Sequence, residues 1–248
     1  MIFRRINHND PDPIHYSPTD LTKCPIQVHN KKTGVYISPA EKLKEIFQKG
    51  NKAHILEGIK REGSKTHVAT EVYMKVIHID KSMIFSGYAD FIMYDGDLYI
   101  EDLKTCDLKA FYHFFTNSDT FELKVQLNAY RYLYYVLHGV LIDKLIVTKI
   151  DRNNLFNRIS LQISTIPIDT MEKYIMQNPA VLYGLKEIDK KTFLESTLNY
   201  IKDNDLRWLC RYCNDKKTCP INKKLTLLEK KDKEKDKKQK ELFDSLVK

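Results

Sequence analysis

Long apolar runs are missing from this sequence. Its most hydrophobic stretch, residues 132–142, is short and broken by His138 and Gly139, far from the roughly 18 apolar residues that a membrane span needs. No membrane partner is expected. The first sixteen residues hold two arginines, but neither an apolar segment nor a small-residue cleavage site follows, so no secretion signal is read there. Glycine is scarce at 8 residues, which excludes a collagen-like chain, and internal repeats are lacking. A disulfide framework is improbable too, because five cysteines is an odd number and nothing marks the chain for export. A metal or redox site in a reducing, intracellular compartment is the better expectation.

With 42% hydrophobic and 30% charged residues over 248 positions, the chain reads as globular: one large domain plus an appendage. We place the domain at residues 1–221 and a charged tail at 222–248. The net charge is +8, and the tail, with ten lysines against six acidic residues, supplies half of it. A mildly basic body permits a polyanionic partner without requiring one. The tail's alternating charges fit a solvated helix or a disordered segment, with a DNA-tracking role as the alternative.

Ser17 and Pro18 predict a short helix ended by Pro25. Ser38, Pro39 and Glu41 predict a second one, over residues 39–61, in which Gly50 and His54 share a side. From residue 66 the content becomes β-branched and aromatic, predicting strands over 67–79, 83–94 and 97–105. Asp95-Gly96 reads as a two-residue type I′ hairpin turn between the last two. A buried helix is expected over 120–138, ended by Gly139, then strands over 140–150 and 158–168, and two helices over 169–204. This order predicts an α/β (α+β) fold with a mixed central sheet flanked by helices.

The hairpin brings Asp90 on one strand towards Asp102 and Lys104 on its neighbour, where the strand period puts the latter two on one face. Glu71 on the preceding strand is a further candidate carboxylate. Converging oxygens suit a hard divalent cation, and a lysine beside them suits phosphodiester hydrolysis, where it orients attacking water or offsets charge on phosphorus. Taken alone, a D-x-K triplet is more often solvated charge at a strand end.

The surrounding pattern is more telling. Gly87-Tyr88-Ala89-Asp90 followed by Glu101-Asp102-Leu103-Lys104-Thr105 resembles the core of the PD-(D/E)XK nuclease superfamily, in its RecB-like branch, with Ala89 in place of the eponymous proline. Gln126-x-x-x-Tyr130 resembles that branch's Q-x-x-x-Y motif, and Gly50-x-x-x-His54 its G-x-x-x-H element. The resemblance implies a restriction-endonuclease-like core over about residues 39–168. It also implies Mg²⁺ or Mn²⁺ on His54, Asp90, Asp102, the Leu103 carbonyl and possible ligand Glu71, with Lys104 catalytic. Gln126 would support Lys104, and Tyr130 would touch the DNA backbone.

Cys210-x-x-Cys213-x5-Cys219-Pro220 has one distant partner, Cys24-Pro25. Three clustered thiols are one short of a closed four-ligand site, and both zinc and iron-sulfur clusters take four. The one-plus-three division, with Tyr16-Ser17-Pro18-Thr19-x-Leu21-x-x-Cys24-Pro25, resembles the Cas-type iron-sulfur nucleases of the fourth CRISPR-associated family. That likeness implies a [4Fe-4S] cluster on Cys24, Cys210, Cys213 and Cys219, joining residues 16–25 to 205–221, and single-stranded DNA exonuclease activity, often 5′ to 3′. It leaves open a role in CRISPR adaptation, in viral or phage replication and recombination, or in repair, with the protein partners each would bring. Cys106 is read as a buried packing thiol. In the aromatic run 111–115, Phe114 is a candidate for stacking unpaired bases, with core packing as its rival. The competing functional class is a non-catalytic DNA-binding or partner-binding module with a structural cluster or zinc.

Overall fold

The computed structural model describes residues 14–34, 41–78, 83–108, 111, 120–211, 213, 217 and 219–246, without the side chains of 41–47, of 211 and of much of the chain beyond 231. Ser38, Pro39 and Phe114 lie outside the described residues. The chain forms a mixed sheet of six strands flanked by helices. β1 is Ile14–Tyr16, β2 His67–His78, β3 Met83–Tyr94, β4 Leu98–Cys106, β5 Lys144–Asp151 and β6 Asn154–Ile163. The helices are α1 Pro25–Lys32, α2 Glu41–Glu62, α3 Phe121–His138, α4 Ile168–Met176, α5 Pro179–Gly184, α6 Lys190–Asp203 and α7 Pro220–Leu246.

The sheet runs β1-β3-β4-β5-β6, with β2 also paired to β3. β1–β3 and β4–β5 are parallel and the other pairs antiparallel. Joining β4 to the parallel β5 demands a crossover, and α3 lies within it. The main core combines Leu127, Ala129 and Leu133 of α3 with Met74, Phe85, Ile92, Ile100, Leu145 and Val147 of the sheet. Because alternate residues of a strand face opposite ways, Phe91, Tyr99, Leu103 and Ile150 form a separate cluster. The Arg61 guanidinium of α2 lies over the Phe91 ring there, 5.3 Å from its centroid.

β3 has three partners, and that decides the architecture of the site. β2 runs along it from residue 83 to 93. β1 pairs with residues 83–85 and β4 with 91–94, so these two share the remaining edge. Neither pairs with residues 86–90. The edge is a fork, open at its middle.

Several expectations need correction. Pro25 does not end a helix; it is the first residue of α1, with Cys24 at the N-cap, because a proline's missing N–H costs nothing at that position. The preceding segment is a single 3₁₀ turn, Asp20–Thr22. The β3–β4 hairpin has Tyr94 paired with Leu98 and hence a three-residue loop. Only Gly96 there has positive φ, at 108°, so the turn is not type I′. β5 begins at Lys144 rather than 140, since Arg131 of α3 donates to the Ile142 carbonyl and to that of Ile166, 2.8 Å away, holding the chain off the sheet. Three helices, not two, fill 168–203. The tail is helical through Leu246.

Candidate active site

The β3–β4 ladder stops at the pair Phe91–Glu101, and the next residue on each strand is a carboxylate: Asp90 and Asp102. As the strands part, Asp90 fills the opening. Its Oδ2 accepts from the Leu103 backbone N–H at 2.7 Å. In a strand the N–H and C=O of one residue leave on the same side, so the Leu103 carbonyl also points into the fork. His54 of α2 reaches the same place, with Nδ1 3.6 Å from Asp90 Oδ1. Gly50, one turn earlier, makes that approach possible: a Cβ there would stand 3.1 Å from Thr105 Oγ1 on β4. Lys104 Nζ lies 2.7 Å from Asp102 Oδ2, with its side chain one-third exposed.

The electrostatics follow from burial. Asp102 is 2% exposed, and desolvation pushes its pKa up to about 6 against the pull of Lys104, with Asp90 adding to the rise. Burial works against the charge of His54, but its bond to Asp90 and the negative field of both aspartates outweigh it and raise its pKa. Lys104 behaves alike: burial is overcome by Asp102, and the ammonium is held more firmly. Asp102 Oδ2 is buried without a hydrogen-bond partner of proper geometry. A buried carboxylate oxygen that meets only the Lys104 ammonium, beside a second carboxylate, is a donor set that fits a hard cation.

Among the described residues, no group of three or more His, Cys, Asp or Glu side chains is gathered tightly enough to hold a metal as it stands. Mg²⁺ is commonly held by one or two carboxylates, with water and substrate phosphate completing its shell, so two aspartates and a carbonyl suffice. Glu71 is not drawn into the cluster: it is exposed, has φ +48°, and lies between the paired residues Thr70 and Val72 without a hydrogen bond or ion pair to either aspartate.

Gln126 and Tyr130 do share a face of α3, with Gln126 Nε2 donating to the Tyr130 hydroxyl at 3.2 Å. Tyr130 is 5% exposed and packs against Gly87, where a Cβ would stand 3.0 Å from its ring and 2.8 Å from Pro18. Burial, helped by Asp102, raises the pKa of its phenol. The ring therefore packs against the fork from the α3 side.

A second site lies where the two ends of the fold meet. Cys24, Cys210, Cys213 and Cys219 line one pocket of about 280 Å³, counting its open mouth, together with Ile201, Leu209 and Ile221. Cys24 is buried and its pKa is pushed up to about 12, chiefly by desolvation, with Cys210 and Cys219 adding to it. Cys106 is apart from this pocket, its thiol donating to the Ile150 carbonyl at 3.8 Å.

Two pairings escaped the sequence. Glu101, next to Asp102 but on the opposite side of β4, accepts from Arg61 at 2.5 Å and from Thr148. Glu57 of α2 accepts from Arg158 of β6 at 2.9 Å. Both bind α2 to the sheet and so carry His54. An acidic residue amid the apolar run of β4 was the available signal.

No protein-family model matches the chain, and no curated protein matches it. Solved structures do. The crystal structure of SSO0001 superposes with a TM-score of 0.51 at 18% identity, over 87% of this chain and 89% of that one. The likeness is one of fold. An alkaline exonuclease from Laribacter hongkongensis, LHK-Exo, gives a TM-score of 0.45 at 11% identity, over 71% of this chain and 90% of that one.

Proposed function

We propose that this chain is a metal-dependent DNA nuclease of the PD-(D/E)XK superfamily that cleaves single-stranded DNA and carries a [4Fe-4S] cluster. The carrying observation is the fork itself: Asp90 and Asp102 stand at the point where β3 and β4 part, with Lys104 2.7 Å from one and His54 3.6 Å from the other. Asp90, Asp102 and the Leu103 carbonyl would hold Mg²⁺ or Mn²⁺, with His54 beside them. Such a cation, when bound, polarises the phosphate and makes water a stronger nucleophile.

The chain's own residues do the rest. Asp90, fixed by the Leu103 N–H, cannot swing away from the fork. Asp102, whose Oδ2 meets the Lys104 ammonium alone, retains a lone pair for a ligand. Lys104, positively charged and partly exposed, orients the attacking water and offsets the negative charge that grows on the phosphoryl oxygens in the transition state. Gln126 and Tyr130 brace the α3 side of the cleft. Cys24, Cys210, Cys213 and Cys219 would hold the cluster: the four line one largely apolar pocket, and their thiols would have to draw closer than they stand here to ligate it. Its place between α1, α6 and α7 makes it a clasp joining the two ends of the fold.

The test is cleavage of labelled single-stranded DNA in Mg²⁺ or Mn²⁺, abolished by EDTA. Asp102→Ala and Lys104→Ala should each remove most activity while binding persists, because both groups act more on the transition state than on bound substrate. Full activity in both variants would refute the proposal.

A further inference from the structure

On the outer side of the β2–β3 ribbon two tyrosines stand in water for no reason of packing. Tyr73 and Tyr88 face each other across the strands, 50% and 58% exposed, with ring centroids 4.8 Å apart at 38°. Their neighbours in the strands, Met74 and Ala89, are buried in the α3 core, so alternation puts this pair on the face away from α3. The Tyr73 hydroxyl donates to Ser86 Oγ at 3.3 Å, and His15 of β1 lies 2.6 Å from the same oxygen. One ring is thus fixed in place and braces the other.

Two further facts say what the pair could hold. Tyr88 precedes Asp90 by two residues, about 7 Å along a strand, so the rings border the proposed cleavage site. Beyond them lysines gather: Lys75 pairs in register with Ser86 and is exposed, and the charges of Lys32, Lys75 and Lys31 bear on His15 against that of Asp20, which pairs with Lys32. Open aromatic faces beside lysines are the chemistry that binds unpaired bases and their phosphates.

We propose that Tyr73 and Tyr88 form a stacking platform for the bases of a single DNA strand, which leaves Asp90 and runs along the ribbon towards Lys75. This rests on the nuclease reading above and names the path its substrate takes. Tyr73 holds the platform; Tyr88 offers the free face. A duplex, whose bases are already stacked, gains nothing from it.

The test measures binding by the full chain in a Lys104→Ala background, with three probes: a single strand, the same strand with abasic sites, and a duplex. Tyr88→Ala should weaken single-strand binding about 5- to 150-fold, the range expected for one lost base–aromatic stack, and leave the abasic and duplex probes nearly unchanged. Tyr88→Phe should bind as the parent does, and Tyr88→Leu, which keeps an apolar side chain, should show the defect with an unaltered melt. Equal weakening for intact and abasic strands would overturn the proposal, as would no weakening. A change of oligomeric state in Tyr88→Ala would overturn it too, making the rings a contact between copies of the chain. Wild-type cleavage separates the two readings: if the chain cuts DNA and the tyrosine variants bind normally, only the platform fails. If the tyrosines govern binding and the chain never cuts, only the nuclease reading fails.

Discussion

Glu101→Ala tests whether the buried pairing beneath the site, rather than the site itself, holds α2 in place. Glu101 is 3% exposed and accepts from Arg61 at 2.5 Å and from Thr148, which also bonds Ser160 at 2.7 Å. A hydrogen bond to a charged group contributes about 1.5–3 kcal/mol, and breaking a fully buried ion pair costs about 3–5 kcal/mol. Here the loss should be smaller. Arg61 keeps the face of Phe91 and some access to water, and Thr148 keeps Ser160, so about 2–4 kcal/mol is expected. For a chain of this size that lowers Tm by roughly 5–15 °C. Thermal and urea melts of Glu101→Ala, Arg61→Ala and the double variant would measure it, with a coupling energy of about 1–3 kcal/mol. DNA cleavage should fall in parallel, since His54 sits on the same helix two turns away. A loss below about 1 kcal/mol, or strict additivity of the two substitutions, would refute the reasoning.

Gly184→Ala should be strongly destabilising, because its Cβ would lie 2.0 Å from the Tyr16 hydroxyl. In Tyr16→Phe the same substitution should cost less, and a double-mutant cycle by urea melts checks it. With the proposed cluster in place, Cys24→Ser and Cys213→Ser should each lose its colour and lower the melting temperature, while Cys106→Ser keeps the iron; iron and sulfide analysis beside a melt decides this. Asp20 is buried, which opposes its charge, but Lys32 at 3.0 Å and the Ser17 N–H outweigh this and hold its pKa below the usual range. Its pairing therefore stabilises above the unfolded value of about 4 and is lost as pH falls through the folded one. The stability gap between wild type and Asp20→Asn should shrink on acidification, and pH-dependent melts would show it.

Strand content was legible because β2, β3 and β4 are long and rich in β-branched and aromatic residues, and because the signal for a strand is local. Gly139 was legible for the same reason: its φ of 68° ends α3 as expected. What could not be read was non-local. Nothing near Ile142 announces that Arg131 will claim its carbonyl; Pro25, by contrast, is locally ambiguous, since a proline suits the first position of a helix as well as the end of one. The order of Asp90, Asp102 and Lys104 pointed to the β3–β4 hairpin, where the structure brings them near one another. The sequence could not show that β1 and β4 divide one edge of β3, and that division is what opens the space. Glu71 stands apart from the two aspartates at a point where its positive φ interrupts the regular strand.

The shared edge of β3 also has a history in time. Its lower arm, β1, comes from residues 14–16, yet Tyr16 is fastened to the Ala180 carbonyl and Leu21 to Tyr200. Contacts so distant in sequence form late, since long loops must close first. On the ribosome the hairpin that bears both aspartates is made well before residue 180 exists. The arm that closes the cleft is thus fastened from behind only when the last third of the chain has arrived.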